Sequence, residues 1–172
     1  HEKDLANTML RAGVVDGIIA TINFNLTSAD VAAAALQCLC VVLEFEIGDA
    51  SLQHDQQLLE SLHCILSSHN ENAVLCGNVC QFLTRFTLLR RGKDFDHHRI
   101  LEKIPCYLNK WIHDTLFVGS ACETICVISD ESLNAKLKFG TLGVTNCVVN
   151  ILKCHVKSME MVAIGVRVML CL

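Results

Sequence analysis

A repeating spacing of apolar residues is the feature that most limits what this chain can fold into. Four groups of apolar residues occur, and corresponding members of successive groups are separated by 44, 42 and 44 residues. The groups are Val14, Ile18 and Ile22; Leu58, Leu62 and Leu66; Ile100, Ile104 and Leu108; and Val144, Val148 and Leu152. Residues four apart lie on one face of a helix, and a fixed period of this length predicts an array of helical repeats.

A second set of apolar residues repeats with the same steps. Its members are Val31, Leu39 and Val42; Leu75, Leu83 and Phe86; Phe117, Ile125 and Ile128; and Met161, Met169 and Leu172. A polar break separates the two sets in each segment, as at 23–25 and 109–114. The pattern predicts four segments, at about 1–45, 46–89, 90–131 and 132–172, each with a helix, a short turn and a longer helix. Apolar Met9, Phe95 and Phe139 predict a smaller helix before three of these pairs.

The composition agrees with helices and disagrees with an all-β fold. Hydrophobic residues make up 52% of the chain, aromatic residues only 5%, and there are one proline and nine glycines. A β-sandwich needs frequent turn residues and strand aromatics. The 172 residues are therefore expected to form one helical domain with a substantial core.

A column of small residues runs along the predicted long helices, at Ala33, Gly77, Gly119 and Ala163, with Gly165 close by. A glycine inside a helix costs about 0.5 to 1 kcal/mol relative to alanine. Small side chains allow a neighbouring helix to approach closely. We therefore expect Gly77, Gly119 and Gly165 to lie at close helix contacts.

The fourth segment resembles the armadillo repeat family. The resemblance is carried by 134–139, by the Leu142-Gly143-Val144 turn and by the apolar 148–152 that follows, and Gly13-Val14 repeats the turn in the first segment. It implies a right-handed α-solenoid of about four armadillo-like repeats over 1–172, in which the long third helices line a concave groove. The second and third segments have Gln57 and Arg99 in place of the turn glycine, so the two-helix HEAT type remains an alternative.

One column of the long helices is polar in all four segments and is the candidate binding surface. It comprises Gln37, Gln81, Glu123 and Arg167, and Arg85 lies one turn after Gln81. A helix face that stays polar in so apolar a chain is expected to face solvent. Val41 and Val127, also on these helices, would add apolar contacts to a partner helix or an extended peptide. An ordinary solvated face explains the same column.

Metal and acid–base chemistry are the alternatives to binding. Cys76 and Cys80, like Cys122 and Cys126, lie four apart on a helix face. Zinc needs two further ligands for each such pair, and buried core thiols explain the cysteines without a metal. His97 and His98 with Asp94 and Asp96 could hold a metal or act as acid and base, but a charged loop explains them equally well. We expect no cofactor, no metal and no catalytic residue.

These observations predict a non-catalytic protein-interaction scaffold or adaptor. The formal net charge of -4 disfavours nucleic acid as a partner, and no apolar run is long enough to span a membrane. Eleven cysteines scattered through apolar stretches indicate reduced thiols in the cytoplasm. The apolar ends indicate that further repeats of a larger chain or assembly follow. A thiol-dependent metal or redox protein and a purely structural rod remain alternatives.

Overall fold

The computed structural model describes residues 13–45, 55–89 and 98–172, and every regular element in these ranges is an α-helix. The helices are α1 (Val14–Phe24), α2 (Ala29–Phe45), α3 (Asp55–Ser68), α4 (Ala73–Leu89), α5 (His98–Lys110), α6 (Thr115–Glu131), α7 (Leu133–Thr141), α8 (Val144–Cys154) and α9 (Met159–Cys171). The predicted all-α class is confirmed for these residues, and the solenoid arrangement stays a prediction. None of the described helices is both long enough and apolar enough to cross a lipid bilayer.

The chain divides into two compact units, His1–Arg85 and Phe86–Leu172. In the first unit, α1 packs against α2 and α3. In the second unit, α5 packs against α6, α7 and α8, and α9 packs against α6 and α8. The short α7 matches the small helix that was predicted before the fourth pair, whereas Met9 and Phe95 lie outside the described residues.

The repeating apolar residues supply most of the core. The fully or almost fully buried members of the two sets are Ile22, Leu39, Leu58, Leu62, Leu66, Leu75, Leu83, Phe86, Ile100, Ile104, Leu108, Phe117, Ile125, Ile128, Val144, Val148 and Met161. Val14, Ile18, Val31, Leu152 and Leu172 are half-buried. Met169 is exposed, and the side chain of Val42 is outside the described part. Burial of the spaced residues explains why each helix turns one face inward.

The turn inside each helix pair is built in the same way four times. A polar residue caps the longer helix, and its side chain accepts a hydrogen bond from the backbone N–H three residues on. The cap and N–H pairs are Ser28 with Val31 (3.5 Å), Asn72 with Leu75 (3.0 Å), Asp114 with Phe117 (3.0 Å) and Ser158 with Met161 (3.3 Å). The caps have the same 44, 42 and 44 spacing as the apolar residues. Serine, asparagine and aspartate are the favoured residues at this position because they satisfy a helix N–H that has no partner within the helix.

Glycine begins two of the helices where the backbone requires it. Gly13 precedes α1 with a φ of 71° and Gly143 precedes α8 with a φ of 75°. This left-handed conformation is costly for residues that carry a Cβ. The backbone conformation of these two turns therefore favours glycine at Gly13 and Gly143, the positions on which the armadillo resemblance partly rests.

A histidine links consecutive turns within each unit. In the first unit His69 Nε2 lies 2.6 Å from the carbonyl oxygen of Leu26, and in the second unit His155 Nε2 lies 2.6 Å from that of Ile112. A carbonyl oxygen only accepts, so each imidazole donates its Nε2–H. The two histidines are equivalent in sequence and bond to residues 43 positions earlier.

We expect His155→Ala to lower the free energy of unfolding by about 1 kcal/mol, because it removes this hydrogen bond from a half-buried site. Chemical denaturation followed by far-UV circular dichroism measures the change. His113→Ala is the matched control, since the His113 ring is exposed and lies tilted near the His155 ring, with centroids 6.3 Å apart. An equal loss in the two variants would contradict the role of the His155 hydrogen bond.

Candidate functional site

The polar column on the long helices of the first unit is exposed to solvent. Gln37 and Val41 lie on α2, and the Val41 side chain is 51% exposed. Gln81 is exposed on α4. Arg85 is half-buried, and its Nη1 donates to the carbonyl oxygen of Cys40 over 3.4 Å. The guanidinium of Arg85 therefore bridges α4 and α2 as well as bordering the exposed face.

In the second unit the two charged members of the column meet at one open cleft. Glu123 on α6 and Arg167 on α9 are both exposed, and α6 packs against α9. The cleft has a volume of about 300 Å³ and is lined by Gly119, Cys122, Glu123, Cys126, Ile164 and Arg167. A carboxylate and a guanidinium thus border a cavity that also contains apolar and thiol surface.

Val127 differs from the other members of the predicted surface because it is buried, with 8% of its side chain exposed. It follows Cys126 on α6, in a stretch where six consecutive residues are buried, from Thr124 to Ser129. Val127 therefore contributes to the interior of the second unit. The corresponding Val41 in the first unit keeps half its surface in solvent.

Sequence reasoning missed the role of Gly119. It was expected to allow close packing of a neighbouring helix, but a Cβ built at Gly119 meets nothing within 4 Å. That explanation is wrong for Gly119, which borders the open cleft one turn before Glu123. At Gly165 the expectation is confirmed, because a Cβ there would lie 2.7 Å from Leu152 Cδ2. The sequence did contain a signal for this position: Gly119 lies one helical turn before Glu123, a member of the polar column that was expected to face solvent.

The thiols beside the cleft are protonated at neutral pH. Burial raises the pKa of Cys122 to about 12, and the neighbouring Cys147 adds to the increase. Burial also raises the pKa of Cys126 to about 12, supported by a hydrogen bond with the Cys171 side chain and opposed by the positive charge of Arg167. Metal binding and nucleophilic attack both require the thiolate. Burial therefore keeps both thiols mainly in the protonated form at neutral pH.

The other candidate ligands show no metal cluster within the residues that the structure describes. Cys76 and Cys80 are buried on α4 in the first unit. Across 13–45, 55–89 and 98–172, no group of three or more histidine, cysteine, aspartate or glutamate side chains could hold a metal ion. Asp94, Asp96 and His97 lie outside the described residues, as does the side chain of His98 at the start of α5.

No protein-family model matches the chain, no curated protein matches it, and no solved structure matches it. The candidate site therefore depends on its own geometry: a charged, open cleft between α6 and α9, and exposed polar residues on α2 and α4.

Proposed function

We propose that the chain is a non-catalytic protein-interaction scaffold of the armadillo type that binds a helix or an extended peptide of a partner protein. The observation that carries the proposal is the cleft between α6 and α9, at which Glu123 and Arg167 stand exposed. Both residues come from the one column that stays polar in all four segments. In the first unit Gln37, Val41, Gln81 and Arg85 supply a second contact surface.

The chemistry of the cleft supports binding of protein. A glutamate and an arginine at the border pair with opposite charges on a partner and favour one orientation of it. Ile164 and the thiols provide apolar contact area. Gly119 lines the cleft, and a Cβ built there meets no atom within 4 Å, so the cleft is open beside it. A peptide or helix with both charged and apolar side chains matches this combination.

The thiols support a reducing compartment. The described ranges include all eleven cysteines; none of them forms a disulfide, and five are buried. Buried free thiols behave as small apolar side chains in a core. We propose that the chain acts in the cytoplasm, where thiols stay reduced.

Filling the cleft tests the binding proposal. Gly119→Leu places a side chain in open space, so the variant should fold while blocking the partner. The expected result is loss of a co-purifying protein that the parent chain retains, measured by quantitative affinity purification and mass spectrometry. Gly140→Leu is the matched control, since Gly140 is exposed on α7, also has nothing within 4 Å of a Cβ, and does not border the cleft. If the parent chain, Gly119→Leu and Gly140→Leu all co-purify the same partner proteins, the cleft is not the binding site.

The combined variant Glu123→Arg with Arg167→Glu separates charge from shape. It keeps the net charge and still places opposite charges at the cleft, but it reverses the pattern that a partner meets. We expect it to lose the same protein as Gly119→Leu. Asp130→Lys with Lys157→Glu is a control swap of two exposed residues that do not line this cleft. If the variant with Glu123→Arg and Arg167→Glu still retains the partner protein, the charges of Glu123 and Arg167 do not orient that partner.

A further inference from the structure

The outer face of α9 is a continuous apolar stripe. Its members, all exposed, are Met159, Ala163, Val166 and Leu170. Met159 is 82% exposed and Leu170 is 80% exposed. The spacing of four, three and four residues is that of a coiled-coil seam, so the four side chains lie in one line along the helix. This line is on the side of α9 opposite to Met161, Gly165 and Val168, which are buried in the second unit.

The equivalent positions of the earlier long helices are buried. On α6, Val118, Cys122 and Cys126 lie 44 residues before Val162, Val166 and Leu170, and each of the three is at most 1% exposed. The corresponding residues of α4, which are also buried, are Cys76, Cys80 and Thr84. On α9, by contrast, Val162 is only half-buried and Val166 is 47% exposed. The stripe is therefore a face that this repeat keeps out of solvent elsewhere in the chain, and an apolar helix is the kind of partner that fits it.

Two charged residues beside the stripe specify how a helix can lie on it. Glu160 and Arg167 are both exposed and are seven residues apart, so they lie along the same side of the stripe. The other side carries the apolar Val162 and Met169. A helix with an arginine opposite Glu160 and a glutamate opposite Arg167 complements these charges. A second α9 that runs in the antiparallel direction presents this order of charges.

We propose that the outer face of α9 is a dimerisation surface on which a second copy of this chain packs its own α9 in antiparallel orientation. Met159 then lies beside Leu170 of the second copy, and the small Ala163 lies beside Val166 of the second copy. Glu160 lies near Arg167 of the second copy, and the two-fold symmetry makes this pair occur twice. A parallel arrangement would leave the opposite charges about 10 Å apart along the helix axis.

The inference does not depend on the proposed partner binding. Val166 and Leu170 do not line the cleft between α6 and α9, whereas Arg167 belongs to both surfaces. The length of α9 sets the strength of the dimer: its 13 residues span about 20 Å. A pair of helices of this length is at the small end of the range for specific interfaces, so we expect a reversible dimer with a dissociation constant of about 1 to 100 μM.

Sedimentation equilibrium of the purified full chain, with no other protein present, tests the proposal. Over a concentration series across the micromolar range, the mass of the parent should rise from that of one chain to that of two. Leu170→Glu should weaken this association by about 100-fold or more, because each dimer would bury the new carboxylate twice. Leu137→Glu is the matched control, since Leu137 is a 62% exposed leucine on α7, and it should associate like the parent. Far-UV circular dichroism checks that both variants fold.

Charge exchange tests the antiparallel orientation. Glu160→Arg alone and Arg167→Glu alone each place like charges together, and each should weaken association by about 10-fold. An equimolar mixture of the two variants should restore it as a heterodimer, because both charge pairs are then opposite again. Native mass spectrometry identifies the heterodimer, since the two variants differ in mass.

Three outcomes would overturn the proposal. A parent chain that stays monomeric throughout the concentration series would leave the stripe to a different protein. A dimer that Leu170→Glu does not weaken would use another surface. A mixture of Glu160→Arg and Arg167→Glu chains that forms no heterodimer would exclude the antiparallel pairing of α9.

Discussion

Phe139→Ala should lower the free energy of unfolding by about 3 to 5 kcal/mol, the largest effect expected of any single change considered for this chain. Phe139 is 0% exposed and is among the largest fully buried side chains. It lies on α7, which packs against α5, α6 and α8. Truncation removes apolar burial and leaves a cavity that three surrounding helices cannot easily fill. Urea denaturation followed by far-UV circular dichroism measures the loss.

Leu137→Ala is the matched control for Phe139→Ala, because Leu137 lies two residues earlier on the same helix and is 62% exposed. The control changes the helix propensity of α7 only slightly and should alter the free energy of unfolding by less than about 0.5 kcal/mol. Similar losses in the two variants would show that α7 does not pack through Phe139.

Gly165→Leu should destabilise the chain by about 2 kcal/mol even though leucine is the better helix former. A Cβ at Gly165 would lie 2.7 Å from Leu152 Cδ2, 3.0 Å from Leu152 Cγ and 3.6 Å from Val148 Cγ1. The Leu152 side chain must move to make room for a leucine there, and the rest of the leucine side chain would crowd the packing of α9 on α8. The cost of this overpacking exceeds the gain of up to about 1 kcal/mol from removing a helical glycine. Thermal and urea unfolding of the variant measure the net effect.

The same substitution at Gly119 should stabilise the chain instead of destabilising it. No atom lies within 4 Å of a Cβ built there, so Gly119→Leu should raise the free energy of unfolding by about 0.5 to 1 kcal/mol through helix propensity alone. The two glycines lie in the long helices of consecutive pairs, which makes them a matched comparison. Destabilisation of equal size at both positions would contradict the helix packing described for α6, α8 and α9.

Several features of the fold followed from local sequence. The spacing of apolar residues predicted the helices and most of the buried residues, since a helix places residues four apart on one face. The four caps share that spacing because each satisfies the first N–H groups of the helix it begins. The turn glycines were visible in the sequence, and their positive φ explains them. Exposure of the polar column at Gln37, Gln81, Glu123 and Arg167 also agreed with a solvent-facing helix side.

The geometry of the candidate site could not be predicted from local sequence patterns, because it depends on distances between residues that are far apart along the chain. Val41 and Val127 occupy equivalent places in the repeat, yet one is half exposed and the other is buried. Gly119 and Gly165 lie in neighbouring columns of small residues, yet Gly119 borders an open cleft, whereas a Cβ at Gly165 would meet Leu152. The cleft is lined by residues of α6 and α9, two helices that are separated by α7 and α8 along the chain.

The sequence by itself therefore determined the helical class, the helix pairs, their caps and the inward faces, because these arise from neighbours within a few turns of the backbone. Only the tertiary structure decided which equivalent positions are open and which are filled. The physical reason is that the placement of α9 against α6 and α8 results from the summed packing of many side chains distant in sequence. The repeat spacing does not encode that placement, because it records only which residues are apolar and how far apart they lie along the chain.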